Sequence, residues 1–173
     1  GSSYHVGLAS KSLITKYGKI PVNVEIASEY RYTEHFYTKN HLVILISQSG
    51  ETADSLAVLR QVKDKNIATL AIVNVVGSSI ARESDKVIYT KAGPEISVAT
   101  TKAYSCQFII LSLIAFYLGL KNNLLKEEDI KVYYDLEKEI AEDTSDTEEV
   151  ANMIHDKKDI FYLGRKIDYS LCM

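Results

Sequence analysis

The sequence predicts an α/β chain, a three-layer sandwich in which a parallel sheet is flanked by helices. Three observations carry this expectation. Two short apolar runs, residues 42–46 and Ala68–Val73, have the near-continuous hydrophobicity of strands buried on both faces. Each is followed by turn-forming residues and then a helical pattern, so strands alternate with helices at the spacing of βα units. The segment after the first run, Ser47-Gln48-Ser49-Gly50-Glu51-Thr52, places three hydroxyls, an amide and a glycine at the carboxyl end of a strand, where such sheets bind ligands.

In chain order, residues 1–4 lead into a helical pattern running to Lys16, Tyr17 and Gly18, with Gly18 as its stop. The alternating segment 20–26 reads as a strand with Pro21 at its start. Residues 27–37, polar and aromatic, hold a short helix. The helix after the 42–46 strand puts Leu56, Val58, Leu59 and Val62 on its inner face. The second strand ends at Asn74, and Gly77-Ser78-Ser79 opens a short helix near residues 80–83, with a serine as its cap. Lys86–Tyr89 is a short strand. Ala92-Gly93-Pro94-Glu95 interrupts regular structure, and a long apolar helix covers residues 99–118.

Beyond residue 124 the composition turns acidic. Ile130, Tyr133, Leu136 and Ile140 keep a helical spacing, which predicts solvated connector helices. Strand character returns at residues 159–163, and Gly164 and a helical pattern over 167–173 follow. The expected organisation is a first domain at 1–123 that lacks its N-terminal strand, a charged helical connector at 124–158, and the opening of a truncated second domain at 159–173. On this reading the chain is an excerpt of a longer protein, and residues 160–163 are a candidate to fill the vacant strand position, within the chain or by exchange between two copies.

Composition narrows the function classes. The 173 residues suffice for one domain with a real core. A net charge of −3 and a pI near 5.8 give no reason to expect nucleic acid. Cys106 and Cys172 have no CxxC spacing, which fits a reducing, cytoplasmic compartment. The longest apolar stretch, 108–118, is shorter than the roughly 20 residues a bilayer needs, so no membrane partner is expected. No basic-then-apolar leader opens the sequence at Gly1-Ser2-Ser3-Tyr4-His5. His5, His35, His41 and His155 share no ligand spacing, so no metal is expected, and no GxSxG, Walker or GxGxxG motif calls for a cofactor. The 12 tyrosines, with no tryptophan, suit amphipathic packing and interfaces.

The Ser47–Thr52 segment is the sharpest chemical signal. An ordinary strand–helix turn needs one capping hydroxyl. The density of donors here exceeds that, and free N–H groups at a helix start attract an anion. The segment holds no lysine or arginine, which suits a phosphate gripped by neutral donors. Glu51 must then aim its charge away from the ligand. Gly1-Ser2-Ser3 is a second hydroxyl-bearing helix start, equally readable as the remnant of an expression tag. Residues 95–101 offer Ser97, Thr100 and Thr101 either as caps of the long helix or as a loop closing over a ligand, and the sequence leaves both open.

Three segments in order, 47–54, 74–85 and 92–103, closely resemble the isomerase half of the glucosamine-6-phosphate synthase family, which is built from two sugar isomerase (SIS) domains. The resemblance extends to about residue 120. It implies a flavodoxin-like SIS fold and carries roles onto matching positions. Ser3, Ser47, Gln48, Ser49 and Thr52 would hold a sugar phosphate, while Val98, Ala99 and Thr100 would touch the sugar body. The family more often has glycine at position 97 and serine at position 100. Thr100 keeps the hydroxyl and adds a methyl group.

The resemblance further implies a parent that makes glucosamine 6-phosphate from fructose 6-phosphate and glutamine, an aminotransferase and ketose–aldose isomerase, without cofactor. The implied partners are a glutaminase domain and a second SIS domain of the same chain, a homodimeric assembly, and fructose 6-phosphate or glucosamine 6-phosphate as ligand. No catalytic acid–base pair lies in this stretch, so the fragment alone is expected to be inactive. The alternatives are an SIS regulator that senses a phosphosugar and a different phosphosugar isomerase.

Overall fold

The apolar run after His41 forms strand β1 (Leu42–Ser47), and Ala68–Val73 and Lys86–Tyr89 form β2 and β3. They lie parallel in the order β1-β2-β3, with Leu42 opposite Ala68, Ser47 opposite Val73, and Val73 opposite Tyr89. The computed structural model describes residues 1–96, 100–132, 135, 145–159, 163–165 and 167–172. Among these are helices α1 (Ser2–Gly18), α2 (Ala27–Tyr30), α3 (Ala53–Lys63), α4 (Ser79–Glu83), α5 (Lys102–Lys121), α6 (Ser145–Ile154) and α7 (Ile167–Cys172). Residues 127–132 are also helical.

Successive strand side chains point to opposite faces, and that alternation builds the layers. Ile44, Ile46 and Ile72 face Val6, Ile14 and Tyr17 of α1 and Leu111, Ala115 and Phe116 of α5. Leu45, Ala71 and Val73 face Leu59 of α3 and Ile80 and Ala81 of α4. The expected three-layer sandwich is therefore present, and α3 and α4 are the crossovers that parallel strands require. Leu59, Ile72 and Ile80 are fully buried, each contributing about 1.5–3 kcal/mol relative to exposure.

The expected strand at residues 20–26 is not formed. The segment is extended, and its alternation is real: Val22 and Val24 turn inward while Pro21, Asn23 and Glu25 face solvent. Val24 covers Gly7, where a Cβ would come within 2.8 Å of the valine Cγ1. A period of two marks a half-buried extended chain, but a strand also needs a neighbour. None of the three sheet strands pairs with it, and Pro21 removes one donor. Of the residues expected to re-form a strand at 159–163, 160–162 lie outside the described residues, and Leu163 is irregular and 92% exposed. Tyr133, Leu136 and Ile140 of the connector also lie outside them.

The apolar helix α5 starts at Lys102 and spans 20 residues. By length and composition it could cross a membrane. Here it lies along α1 and buries Ala103, Gln107, Leu111, Ala115 and Phe116. Ile109, Leu113 and Tyr117, spaced by four, form an exposed stripe on another face. Helix α7 packs against α1.

Candidate functional site

Ser47 ends β1 and turns its side chain back into the loop. Its Oγ accepts the Gly50 N–H at 3.0 Å and lies 3.1 Å from Thr52 Oγ1, while Ser49 Oγ accepts the Glu51 N–H at 3.2 Å. One hydroxyl hydrogen is consumed between Ser47 and Thr52. The remaining hydroxyl hydrogens of the trio point to no protein acceptor in the loop. Thr52 occupies the N-cap position of α3 without making a side-chain cap bond, so the first N–H groups of that helix keep their donor capacity. Ser47 is buried, Gln48 and Ser49 are half-buried, and Thr52 is exposed. Gly50 sits at φ +67°, and a Cβ there would fall 2.6 Å from Ser78 Cβ. Only glycine fits this turn.

Glu51 aims away from the α3 start, as an anion site requires. Its Oε1 accepts the Ser79 N–H at 2.7 Å, and the Ile80 N–H donates to Gly50 O at 3.0 Å. Hydrogen bonding from Ser79 holds the Glu51 carboxyl below its ordinary pKa. The serine cap expected for α4 is not made by a serine. Ser78 sits at the N-cap position without a side-chain cap bond, and its Oγ is buried with no partner among the described residues. The carboxylate of the neighbouring loop, an ionised acceptor at a helix start, takes the place of that hydroxyl.

Asn74, at the end of β2, joins three loops. Its N–H donates to Gln48 O at 3.0 Å. Its Oδ1 accepts from Thr90 Oγ1 and the Ala92 N–H, both at 2.9 Å, and its Nδ2 donates to Gly93 O at 2.7 Å. Beside it opens a cleft of about 520 Å³ lined by Gln48, Asn74, Lys91 and Glu95 among others. Lys91 thus brings to the cleft a cation that the 47–52 segment itself lacks. Sequence reasoning gave neither Asn74 nor Lys91 a role, since neither lies within the hydroxyl-rich segment.

Ser3 lies in the first turn of α1. That helix approaches the end of β1, where the Cβ position of Gly7 is 3.9 Å from Ile46 Cδ1. Ser3 Oγ donates to Oε1 of Gln107 on α5 at 3.2 Å. Thr100 is half-buried just before α5. Val98 and Ala99 lie outside the described residues, as does Ser97. Thr101 holds the N-cap position of α5 without a side-chain cap bond, and Glu95 Oε2 accepts the Ala103 N–H at 3.2 Å instead. A carboxylate again does what a hydroxyl was expected to do.

The opposite, amino edge of the sheet holds a larger, shallow hollow of about 780 Å³ beside His35, Tyr37 and Lys65. Of its lining, Tyr37 pairs with Tyr30 through their hydroxyls. At the same edge, outside that lining, Asp85 Oδ2 accepts from the Thr69 N–H and Oγ1 at 2.9 and 2.8 Å, and the Asp85 N–H returns to Thr69 Oγ1. The hydrogen bonds from Thr69 hold the Asp85 carboxyl below its ordinary pKa. Among the described residues no cluster of histidine, cysteine and carboxylate groups could hold a metal ion.

The SIS domain model matches residues 1–117. A glutamine–fructose-6-phosphate aminotransferase (isomerizing) from Clostridium tetani is 45% identical over all of this chain, and the namesake from Pyrococcus horikoshii is 43% identical over 98% of it. The chain spans about 30% of the length of these curated relatives. The solved C-terminal domain of glucosamine-fructose-6-phosphate aminotransferase from Francisella tularensis superposes with a TM-score of 0.84 at 37% identity, covering 99% of this chain and 51% of that one.

Proposed function

The chain belongs to the SIS-domain family, and from that premise we propose that it is the sugar-phosphate-holding SIS domain of a glutamine–fructose-6-phosphate aminotransferase. The whole protein converts fructose 6-phosphate and glutamine to glucosamine 6-phosphate and glutamate. This stretch supplies the grip rather than the proton transfers. Ser47, Gln48, Ser49, Thr52 and Ser3 hold the phosphate, and Val98, Ala99 and Thr100 line the sugar. The observation that carries this reading is the start of α3, uncapped by any side chain and ringed by hydroxyls, with the loop's only carboxylate tied to α4.

Fixing the phosphate anchors the sugar, so that a base supplied elsewhere in the whole protein meets one geometry. In this reading 1–123 is one SIS domain, 124–158 a connector and 159–173 the opening of a second SIS domain. The glutaminase domain, the second SIS domain and a second copy of the protein are its partners, in the cytoplasm. The exposed stripe of Ile109, Leu113 and Tyr117 supports a partnered α5. Near-identical length coverage of this chain by aminotransferases above 40% identity favours this reading over a phosphosugar sensor or another isomerase.

Thermal melting with fructose 6-phosphate, glucosamine 6-phosphate and inorganic phosphate tests the reading. Ligand at 100 times its Kd adds about 2.7 kcal/mol of stability. No shift with any of the three overturns it. The fragment incubated with fructose 6-phosphate and ammonium yields no glucosamine 6-phosphate, and detectable product contradicts the assignment of chemistry to the rest of the protein.

A further inference from the structure

Gln107 is the one carboxamide fully buried among the described residues, at 0% exposure, where the N-terminal turns of α1 and α5 meet. Its Oε1 accepts from Ser3 Oγ, and its Nε2, equally buried, has no partner among the described residues. A buried N–H without an acceptor is costly, so this one calls for an explanation. The bond it does make raises a difficulty at Ser3. A serine hydroxyl has one hydrogen. While that hydrogen points at Gln107 Oε1, Ser3 can present only a lone pair to a phosphate oxygen, which repels it.

We propose that Gln107 is a positioning residue that sets the direction of the Ser3 hydroxyl hydrogen, turning its carboxamide when an anion arrives. The inference rests on the phosphate-holding role of Ser3. The terminal torsion of glutamine is broad and roughly two-fold, so a half-turn exchanges oxygen and nitrogen in nearly the same space. After the turn Nε2 donates to Ser3 Oγ, the Ser3 hydrogen is released towards the ligand, and the orphaned donor gains a partner while Oε1 gives its own up, unpaired carbonyl oxygens being less rare than unpaired N–H groups. The resulting relay, N–H to O–H to phosphate, is one in which each bond polarises the next. Without ligand the original orientation persists because Ser3 finds its acceptor among the described residues in Gln107 Oε1, and the anion selects the turned one.

The test is a double-mutant cycle on the full chain, read as fructose 6-phosphate affinity by calorimetry. Gln107→Met keeps the volume and removes both polar groups. It weakens binding roughly fivefold, the size of one neutral hydrogen bond. Ser3→Ala also weakens binding, and Gln107→Met adds nothing on top of it, because Gln107 acts only through Ser3. Wild-type affinity in Gln107→Met, or losses that multiply in the double variant, overturns the proposal.

Should Gln107→Met fail to fold, ¹⁵N spectroscopy of the unmodified chain decides. The Gln107 side-chain NH₂ signal moves when fructose 6-phosphate is added and stays still with fructose. A Gln107 signal that stays still while the Ser49 amide responds refutes the carboxamide turn alone. If the Ser49 amide also ignores the ligand, the phosphate-holding reading falls and Gln107 with it.

Discussion

Helices α3 and α4 start alike and end up with opposite chemistry. Both follow the carboxyl end of a strand, and both are preceded by serines and a glycine in the left-handed region, Gly50 at φ +67° and Gly77 at φ +74°. At α4 the Glu51 carboxylate already occupies the place where an anion would sit. At α3 the N-cap residue makes no side-chain cap bond, and the only carboxylate of the loop is tied to the other helix. Composition therefore marks a candidate cradle, but which cradle is free depends on where one side chain reaches. The single glutamate serves both roles: it satisfies the α4 start and removes a negative charge from the α3 start.

The largest way to break this contrast is Ser49→Asp. It places a carboxylate among donors meant for an anion and weakens fructose 6-phosphate binding about a hundredfold or more by like-charge repulsion, with the melting temperature of the ligand-free chain nearly unchanged. Calorimetry and melting read the two effects separately. Gly50→Ala follows, since a Cβ in the left-handed region would press into Ser78. The expected cost is about 3 kcal/mol of stability from backbone strain and overpacking, measured by urea unfolding.

Glu51→Gln sharpens the contrast through pH. The Glu51 carboxyl is depressed in the folded chain, so its contribution is present above the unfolded carboxylate pKa and is lost as pH falls through the folded value. Compared with the wild type, Glu51→Gln melts lower at neutral pH, and the two melting curves converge as pH drops below the ordinary carboxylate range near pH 4. The smallest effect is expected at Ser78→Ala, which removes a buried hydroxyl that has no partner among the described residues. Stability changes by less than about 1 kcal/mol and can rise. A larger loss would show that Ser78, rather than Glu51, caps α4.

Much of this was legible in the sequence because it depends on local pattern. The apolar runs marked β2 to the residue and β1 to within one, since buried parallel strands have no polar face to blur their limits; the short edge strand β3 also matched its expected bounds. The Ser47–Thr52 junction stood out by donor density. What the sequence hid depends on one segment reaching another. Glu51 and Glu95 cap helices begun by other residues, and Asn74 gathers Gln48, Thr90, Ala92 and Gly93 around one side chain. Gln107 reaches Ser3 from the buried face of an apolar helix. No periodicity records such contacts. Residues 20–26 erred in the other direction: alternation showed which side chains turn inward, but pairing needs an adjacent strand, which alternation does not supply.

The decisive measurement is the backbone amide response of the full chain to fructose 6-phosphate, with inorganic phosphate as the minimal probe. The signals of Ser49, Thr52 and Ala53 are expected to move, while those of Ser79 and Ile80, already bonded to Glu51 and Gly50, stay in place. Movement centred on Ser79 and Ile80, or on Tyr37 and Lys65 at the amino edge, would contradict the assignment of the anion to the start of α3.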